Sequence, residues 1–384
     1  MTRPGFAPAV RRRAGALGLV LVCAVSFELT TRILDWVRYR MPILSRVTGE
    51  EELMLRDRDG AHGRPNAQYR KWAMDSLGFR GPDVPVHAAR GTVRIVVAGA
   101  SETFGLYESP NKEYARELED TLNERLAAGE CAGSSTVRFE VLNDALPGMS
   151  LATAKQDIRN RLGRFAPDII IYYPSPAQYL EDRLPIATPP DSLAPKRSVE
   201  RSPLGALHPR SLEFVRDELR QLAPEPMLNW FRERAAGSER RKHPAAWVFS
   251  SVPHDRLLVF DADLRSLIGA VRSDGAEPVI ATHATAFERH MADSAERAQS
   301  WERFYPRANG ATIIAFDDSA SATTMRAASD SGLVPADVHA MFARTQGDNF
   351  VDFVHFTDVG SARVAHVLAE AALTAAGRRH ECRP

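Results

Sequence analysis

Apolar positions along the chain change their period several times, and each change marks an element. The run VRIVVAGA (Val93–Ala100) is apolar at almost every position, the pattern of a strand buried on both faces. It breaks into SETFG, where a serine and a glycine follow a strand that otherwise reads as core. SPNKEYARELEDTLNERLAAG then places Tyr114, Leu118, Leu122 and Leu126 on one helical face, with Ser109 as N-cap, Pro110 at the first helical position and Gly129 as the stop. TVRFEVLNDA (Thr136–Ala145) predicts a second strand. SLATAKQDIRNRLGRF (Ser150–Phe165) predicts a second helix with Leu151, Ile158, Leu162 and Phe165 on its apolar side. PDIIIYYP (Pro167–Pro174) reads as a third strand and FDADLRSLIGAVRSDG as a helix. EPVIATHA (Glu277–Ala284) gives a fourth strand and ATIIAFDD (Ala311–Asp318) a fifth, before a terminal helix SARVAHVLAEAALTAAG (Ser361–Gly377) that glycine stops.

Strands alternating with helices, each strand nearly continuous in apolar residues, imply a parallel sheet covered on both faces. Right-handed crossovers make this a three-layer α/β/α domain, here spanning residues 91–377 with a tail at 378–384. In such sheets ligands gather at the C-terminal ends of strands, which is where Ser101 falls. Residues from about 183 to 255 interrupt the rhythm with prolines, arginines and two tryptophans. They read as an insertion, either a helical cap beside the site or a solvated loop.

Upstream, Arg11, Arg12 and Arg13 precede Ala14–Phe27, which carries no charge. The apolar character continues to Val37, so residues 14–37 predict a single membrane span. The arginines place residues 1–13 in the cytoplasm and the rest outside, as a periplasmic domain on the inner membrane. A cleaved signal peptide is the rival reading, though Phe27-Glu28 makes a poor cleavage site. Residues 38–90 are polar and turn-rich and read as a juxtamembrane connector. Lys+Arg and Asp+Glu are equal at 49 each, so no basic field points to nucleic acid. Of the three cysteines, only Cys131 and Cys382 fall in the exported part, where a disulfide is permitted, and no CxxC or HExxH points to a metal.

A serine hydroxyl is a weak nucleophile and needs a base, and a histidine base needs an acid to fix its tautomer. VDFVHFTDVG (Val351–Gly360) offers such a pair, Asp352 and His355, with Thr357 or Asp358 able to cap the last helix. GASETFG is similar to the GDSxTxG serine block of the SGNH (GDSL-type) hydrolases, and DFVHFTDVG resembles their D-x-x-H block. LNDALPGMS (Leu142–Ser150) matches the segment that brings a glycine after the second strand. DSLGFRGPD (Asp75–Asp83) looks like the N-S-x-G-x-R connector of membrane-anchored bacterial members, which often accompany extracellular polysaccharide synthesis. The resemblance covers residues 72–182 and 260–377. It implies a flavodoxin-like SGNH fold, with the five strands in one parallel sheet, and a Ser101–His355–Asp352 triad. The oxyanion donors would be the backbone N–H groups of Ser101 and Gly148, and no cofactor or metal is called for. The chain departs from the pattern at Ala100 and at Ala177, which replaces an asparagine that normally donates to the oxyanion. Losing one such donor costs about 3–4 kcal/mol, unless the neighbouring Gln178 substitutes.

Other residues divide between roles. His283 reads as a capping histidine or as a substrate contact at the end of the fourth strand. Tyr173, with Tyr172 and Tyr179, reads as core or as an aromatic wall for a sugar. Asn143 can pin the loop of Gly148, and Glu102 reads as a solvated charge. Two functions remain open. One is a membrane-anchored serine ester hydrolase acting on small acyl esters, acetyl among them, of extracytoplasmic glycans, with a glycan acyltransferase sharing the same acyl-enzyme. The other is a scaffold or glycan-binding protein that kept the fold and lost part of its oxyanion hole.

Overall fold

The computed structural model describes residues 8–45, 49–131, 134–181, 183–184, 209–222, 230, 234, 236–287, 298–343 and 348–379. Much of the 183–255 insertion thus lies outside the described residues, as does the tail beyond 379.

Four parallel strands form the central sheet: β1 (Thr92–Gly99), β2 (Arg138–Asn143), β3 (Ile169–Tyr173) and β4 (Glu277–Ile280). Their order is β2-β1-β3-β4, the doubly wound arrangement of flavodoxin-like sheets. Ile95 lies opposite both Val141 and Ile169, and Ile171 opposite Val279. Side chains along each strand alternate between two cores, as the two-residue period of a strand requires. Val93, Ile95, Val97, Ile169, Ile171 and Tyr173 enter one core; Val96, Ala98, Ile170 and Tyr172 enter the other.

Helices cover both faces. On the first lie α3 (Tyr114–Ala127) and α8 (Asp358–Arg378), which supply Leu118, Leu122, Val364 and Leu368. On the second lie α4 (Leu151–Asn160), α6 (His254–Ser273) and α7 (Gly310–Asp330). The chain also forms α1 (Pro8–Tyr39), α2 (Ser101–Phe104) and α5 (Arg210–Leu222).

Two expectations need correction. Residues 311–318 do not form a fifth strand; they open α7, which Asn309 caps by accepting from Thr312 N–H at 2.8 Å. Ile313, Phe316, Ala320 and Ala327 are all buried, which is helical spacing. The segment beside β4 contributes a single parallel bridge instead, Ala281 to Ala336. Likewise α3 begins at Tyr114 and not at Ser109, whose N–H donates to Asp358 Oδ1 at 2.7 Å.

The stretch from 49 to 90 forms two short hairpins, Met54–Asp57 with Gly60–Gly63 and Gln68–Tyr69 with Trp72–Ala73. Leu53, Tyr69, Met74 and Phe79 pack into the same core as α4 and α6. Arg94, wholly buried, grips the end of this stretch by donating to the carbonyls of Pro85 and Val86 at 2.7 and 2.6 Å. Within α1, Gly15–Tyr39 is long and apolar enough to cross a membrane, with mean hydropathy 1.8 over its richest window, a property that signal sequences share. Cys131 is disulfide-bonded and Cys23 is free; Cys382 falls outside the described residues.

Candidate active site

Three segments meet at the C-terminal edge of the sheet. The first follows β1. Gly99 admits no side chain, because a Cβ there would lie 2.1 Å from Thr103 Oγ1 and 2.9 Å from Tyr173 O. The chain turns at once into α2, with Ser101 at its first position, so the Ser101 N–H has no helical acceptor. Gly105, at φ 75°, ends the helix in the left-handed region. Three side chains from the connector donate to this loop. They are Arg80 to Phe104 O, Lys71 Nζ to Glu108 O at 2.6 Å and Trp72 Nε1 to Gly105 O at 3.3 Å.

The second segment follows β2. Asn143 is fully buried; its Nδ2 donates to Thr103 O at 3.0 Å and its Oδ1 accepts from Ala145 N–H at 3.1 Å. It ties the Gly148 loop to the serine turn. Gly148 sits at φ 76°, and a Cβ there would meet nothing within 4 Å. Backbone conformation, not crowding, calls for glycine at this position.

The third segment is the turn before α8. Val351 N–H donates to His355 O at 2.8 Å and Thr357 N–H to Asn349 O at 3.0 Å, closing a tight loop. Asp352 Oδ1 accepts from Val354 N–H at 3.0 Å and from His355 N–H at 2.9 Å, while Oδ2 lies 2.8 Å from His355 Nδ1. The three-residue spacing therefore lets one carboxylate both shape the turn and hold the ring. Thr357 caps α8 by accepting from Gly360 N–H at 3.1 Å.

Burial would raise the Asp352 carboxyl, but the His355 ring and the two backbone N–H donors hold it below its ordinary range. Burial pulls His355 down, and the hydrogen bond its ring donates to Asp352, with the charges of Glu102, Asp352 and Glu108, lifts it above the ordinary histidine value. Tyr107 meets the ring edge-on at 5.0 Å. His355 Nε2 is buried and makes no hydrogen bond among the described residues.

Ser101, Gly148, Gln178 and His355 line one pocket of ≈ 140 Å³, walled by Trp301, Phe304, Tyr305 and Phe353. The Ser101 hydroxyl does not bond His355. It donates to Glu102 Oε2 at 3.1 Å. Glu102 is not the solvated charge its position suggests: it is 4% exposed, accepts from Ser175 Oγ at 3.0 Å and faces His283 Nε2 at 3.3 Å. His283 Nδ1 in turn lies 2.6 Å from Asp317 Oδ1. A second acid–histidine chain, Asp317–His283–Glu102, thus ends on the same serine. Burial opposes charge on His283, yet Asp317 and Glu102 lift it to about 10, so the ring is an imidazolium at neutral pH and donates to both. Burial likewise opposes charge on Glu102, yet the His283 bond and charge, helped by His355, bring it to about 2.

His283 is therefore neither a surface cap nor a free substrate contact, since both its ring nitrogens are committed, though one edge reaches the pocket. Tyr173 is fully buried beneath the site, its hydroxyl accepting from Ala284 N–H at 3.0 Å, and it forms no part of the pocket wall. Gln178 does line the pocket, beside Ala177, with Nε2 given to Met149 O at 3.2 Å. Sequence reasoning missed Glu102, Asp317, Ser175 and the aromatic wall. The cluster of Trp301, Phe304 and Tyr305 was the one available signal for the wall.

No family model matches the chain, and no curated protein matches it in sequence. Among solved structures it is similar to an acetyl xylan esterase from Geobacillus stearothermophilus, at 13% identity and TM-score 0.39, covering 74% of this chain and 94% of that one. A lipase/acylhydrolase from Enterococcus faecalis matches at 14% identity and TM-score 0.39, covering 76% of this chain and 97% of that one. An acetyl xylan esterase, AlAXEase, matches at 12% identity and TM-score 0.39, covering 73% of this chain and 99% of that one. Scores this low carry no argument about chemistry, which rests on the side chains themselves.

Proposed function

We propose that the protein is a serine ester hydrolase that works through an acyl-enzyme. The observation that carries this is the buried, unpartnered Nε2 of His355, which shares a pocket with the Ser101 hydroxyl while Nδ1 is held by Asp352. A ring fixed at one nitrogen and bare at the other is the arrangement of a general base waiting for a proton. In the resting arrangement Glu102 holds the serine. Rotation about the Ser101 side-chain bond releases the hydroxyl toward His355.

Ser101 Oγ then attacks the ester carbonyl as His355 Nε2 takes its proton. Negative charge develops on the carbonyl oxygen, and the N–H groups of Ser101 and Gly148 stabilise it. Gln178 is the third donor in place of the family's asparagine, once its Nε2 turns from Met149 O. Collapse of the intermediate expels the alcohol, which receives the proton from His355, and leaves an acyl-Ser101. Water, deprotonated by His355, releases the acid and restores the hydroxyl.

The pocket volume of ≈ 140 Å³ supports a small acyl group such as acetyl. Half-exposed Phe304, with Trp301 and Phe353 stacked at 5.2 Å, supports a sugar ring as the alcohol. With α1 as a single-pass anchor in the inner membrane, the substrate is an acylated glycan outside the cytoplasm. A sugar hydroxyl in place of water makes the same intermediate an acyltransferase's.

Full-length protein in detergent should turn over nitrophenyl acetate, and Ser101→Ala should abolish this. Equal rates in the two proteins would overturn the assignment and favour a binding role for the fold.

A further inference from the structure

We infer that α5 is a second membrane contact, an amphipathic helix lying in the headgroup–acyl boundary of a lipid bilayer where α1 leaves it. The inference rests on the reading of α1 as an anchor.

The exit point can be read from burial. From Leu17 to Phe27 the apolar side chains of α1 stand open, touching little protein. From Glu28 onward one side of the helix is docked, with Thr31 4% exposed and Met41, just past the helix end, 1% exposed, while Leu29, Ile33, Trp36 and Val37 stay open on the other side. The N-terminus of α5 joins α1 at this boundary. Glu28 accepts from the backbone N–H groups of Arg210 and Ser211 at 3.1 and 3.0 Å and from Ser211 Oγ at 2.9 Å. Phe214 meets Phe27 edge-on at 6.0 Å. Arg210 and Glu213 face the domain, where the Tyr69 hydroxyl donates to Glu213 Oε2 at 3.1 Å.

Three apolar side chains of the helix stand bare. Leu212, Val215 and Leu219 are 65%, 40% and 62% exposed, and their spacing of three and four residues puts them on one stripe. The same helix meets α1 through Phe214 and Phe27, which sets the stripe beside the open apolar surface of α1. A short amphipathic helix fixed at the level where a span emerges meets lipid without any further rearrangement. The occupant is the bilayer that already surrounds α1.

Full-length protein in nanodiscs of phosphatidylcholine and phosphatidylglycerol tests this by nitroxide accessibility. One label goes on native Cys23, the free cysteine in the open part of α1. The others go on Leu219→Cys and, as a water-facing control, Asp255→Cys, both in a Cys23→Ser background. Labels at 23 and 219 should relax faster with oxygen than with a nickel chelate, and the label at 255 should show the reverse. If 219 behaves like 255 while 23 stays in lipid, the inference fails and the anchor stands. Protection of 219 from both reagents would show a protein occupant, such as a second copy, and also overturn it. If Cys23 itself favours the nickel chelate, the anchor reading falls, and this inference with it.

Discussion

At the scale of single residues, the site holds two histidines of opposite character. His283 is a fixed cation between two carboxylates, and His355 has one nitrogen held and the other bare. The negative charge of Glu102 favours the imidazolium of His355, whereas catalysis needs that ring neutral. Ester turnover should therefore rise with pH through a value above the ordinary histidine one. Glu102→Gln should move the ascending limb to lower pH; a limb that stays put would show that this charge does not reach the base. His283→Ala strands two buried carboxylates, and breaking such a pair costs about 3–5 kcal/mol, read as a lower thermal midpoint in detergent. The linkage has a definite sign. His283 is raised from 6.5 to about 10, so its contribution is whole below 6.5 and fades as pH rises through 10. Glu102 is lowered from 4.5 to about 2, so its share is whole above 4.5 and fades as pH falls through 2. Wild type should lose more of its thermal midpoint than His283→Ala between pH 6 and pH 9 (roughly the window where the ring gives up its proton in the unfolded chain and keeps it in the folded one). Equal losses would show that the cation does not hold the site. Ser101, Asp352 and His355 were legible because each sits in a local block of sequence. Glu102 was not, because what buries it comes from Ser175 and His283, 73 and 181 residues further along.

At the scale of elements, β1–β4 were legible because buried parallel strands are short, apolar and β-branched. Residues 311–318 carry the same local signature and form a helix. An eight-residue apolar run does not distinguish a strand from the first turns of a buried helix, and the deciding residues, Ala320, Thr324 and Ala327, come later. The N-terminus of α3 was misplaced for a related reason: Ser109 and Pro110 look like a cap until Asp358 claims the Ser109 N–H. The connector offers a test. Arg80 is buried, donates to the last carbonyl of α2 and lies 3.5 Å from Glu113. Arg80→Met removes the donor to Phe104 O and the cation beside buried Glu113, so both the thermal midpoint and the ester rate should fall, the former by the equivalent of about 3–5 kcal/mol. Unchanged values would mean that α2 holds the serine turn unaided.

At the scale of the whole molecule, the alternating strands and helices were enough to give the sheet, its two covered faces and the edge on which Ser101 falls. The assembly of that edge from segments near 101, 148 and 355 follows from strand order, which puts β1 at the centre between β2 and β3. Pattern alone was silent on how the first helix relates to the rest, because Glu28, Arg32 and Asp35 look like interruptions in a greasy run. They are its fastenings. Arg32 Nη1 donates to Ile43 O at 2.8 Å, and Glu28 holds the start of a helix 182 residues away. The first helix is thus not an interchangeable tether. A protease cutting after Phe27 would free the domain with its fastenings in place, but trimming ten residues further would strip them away. Transplanting the domain onto a foreign membrane stem demands that the last three turns of its own helix travel with it.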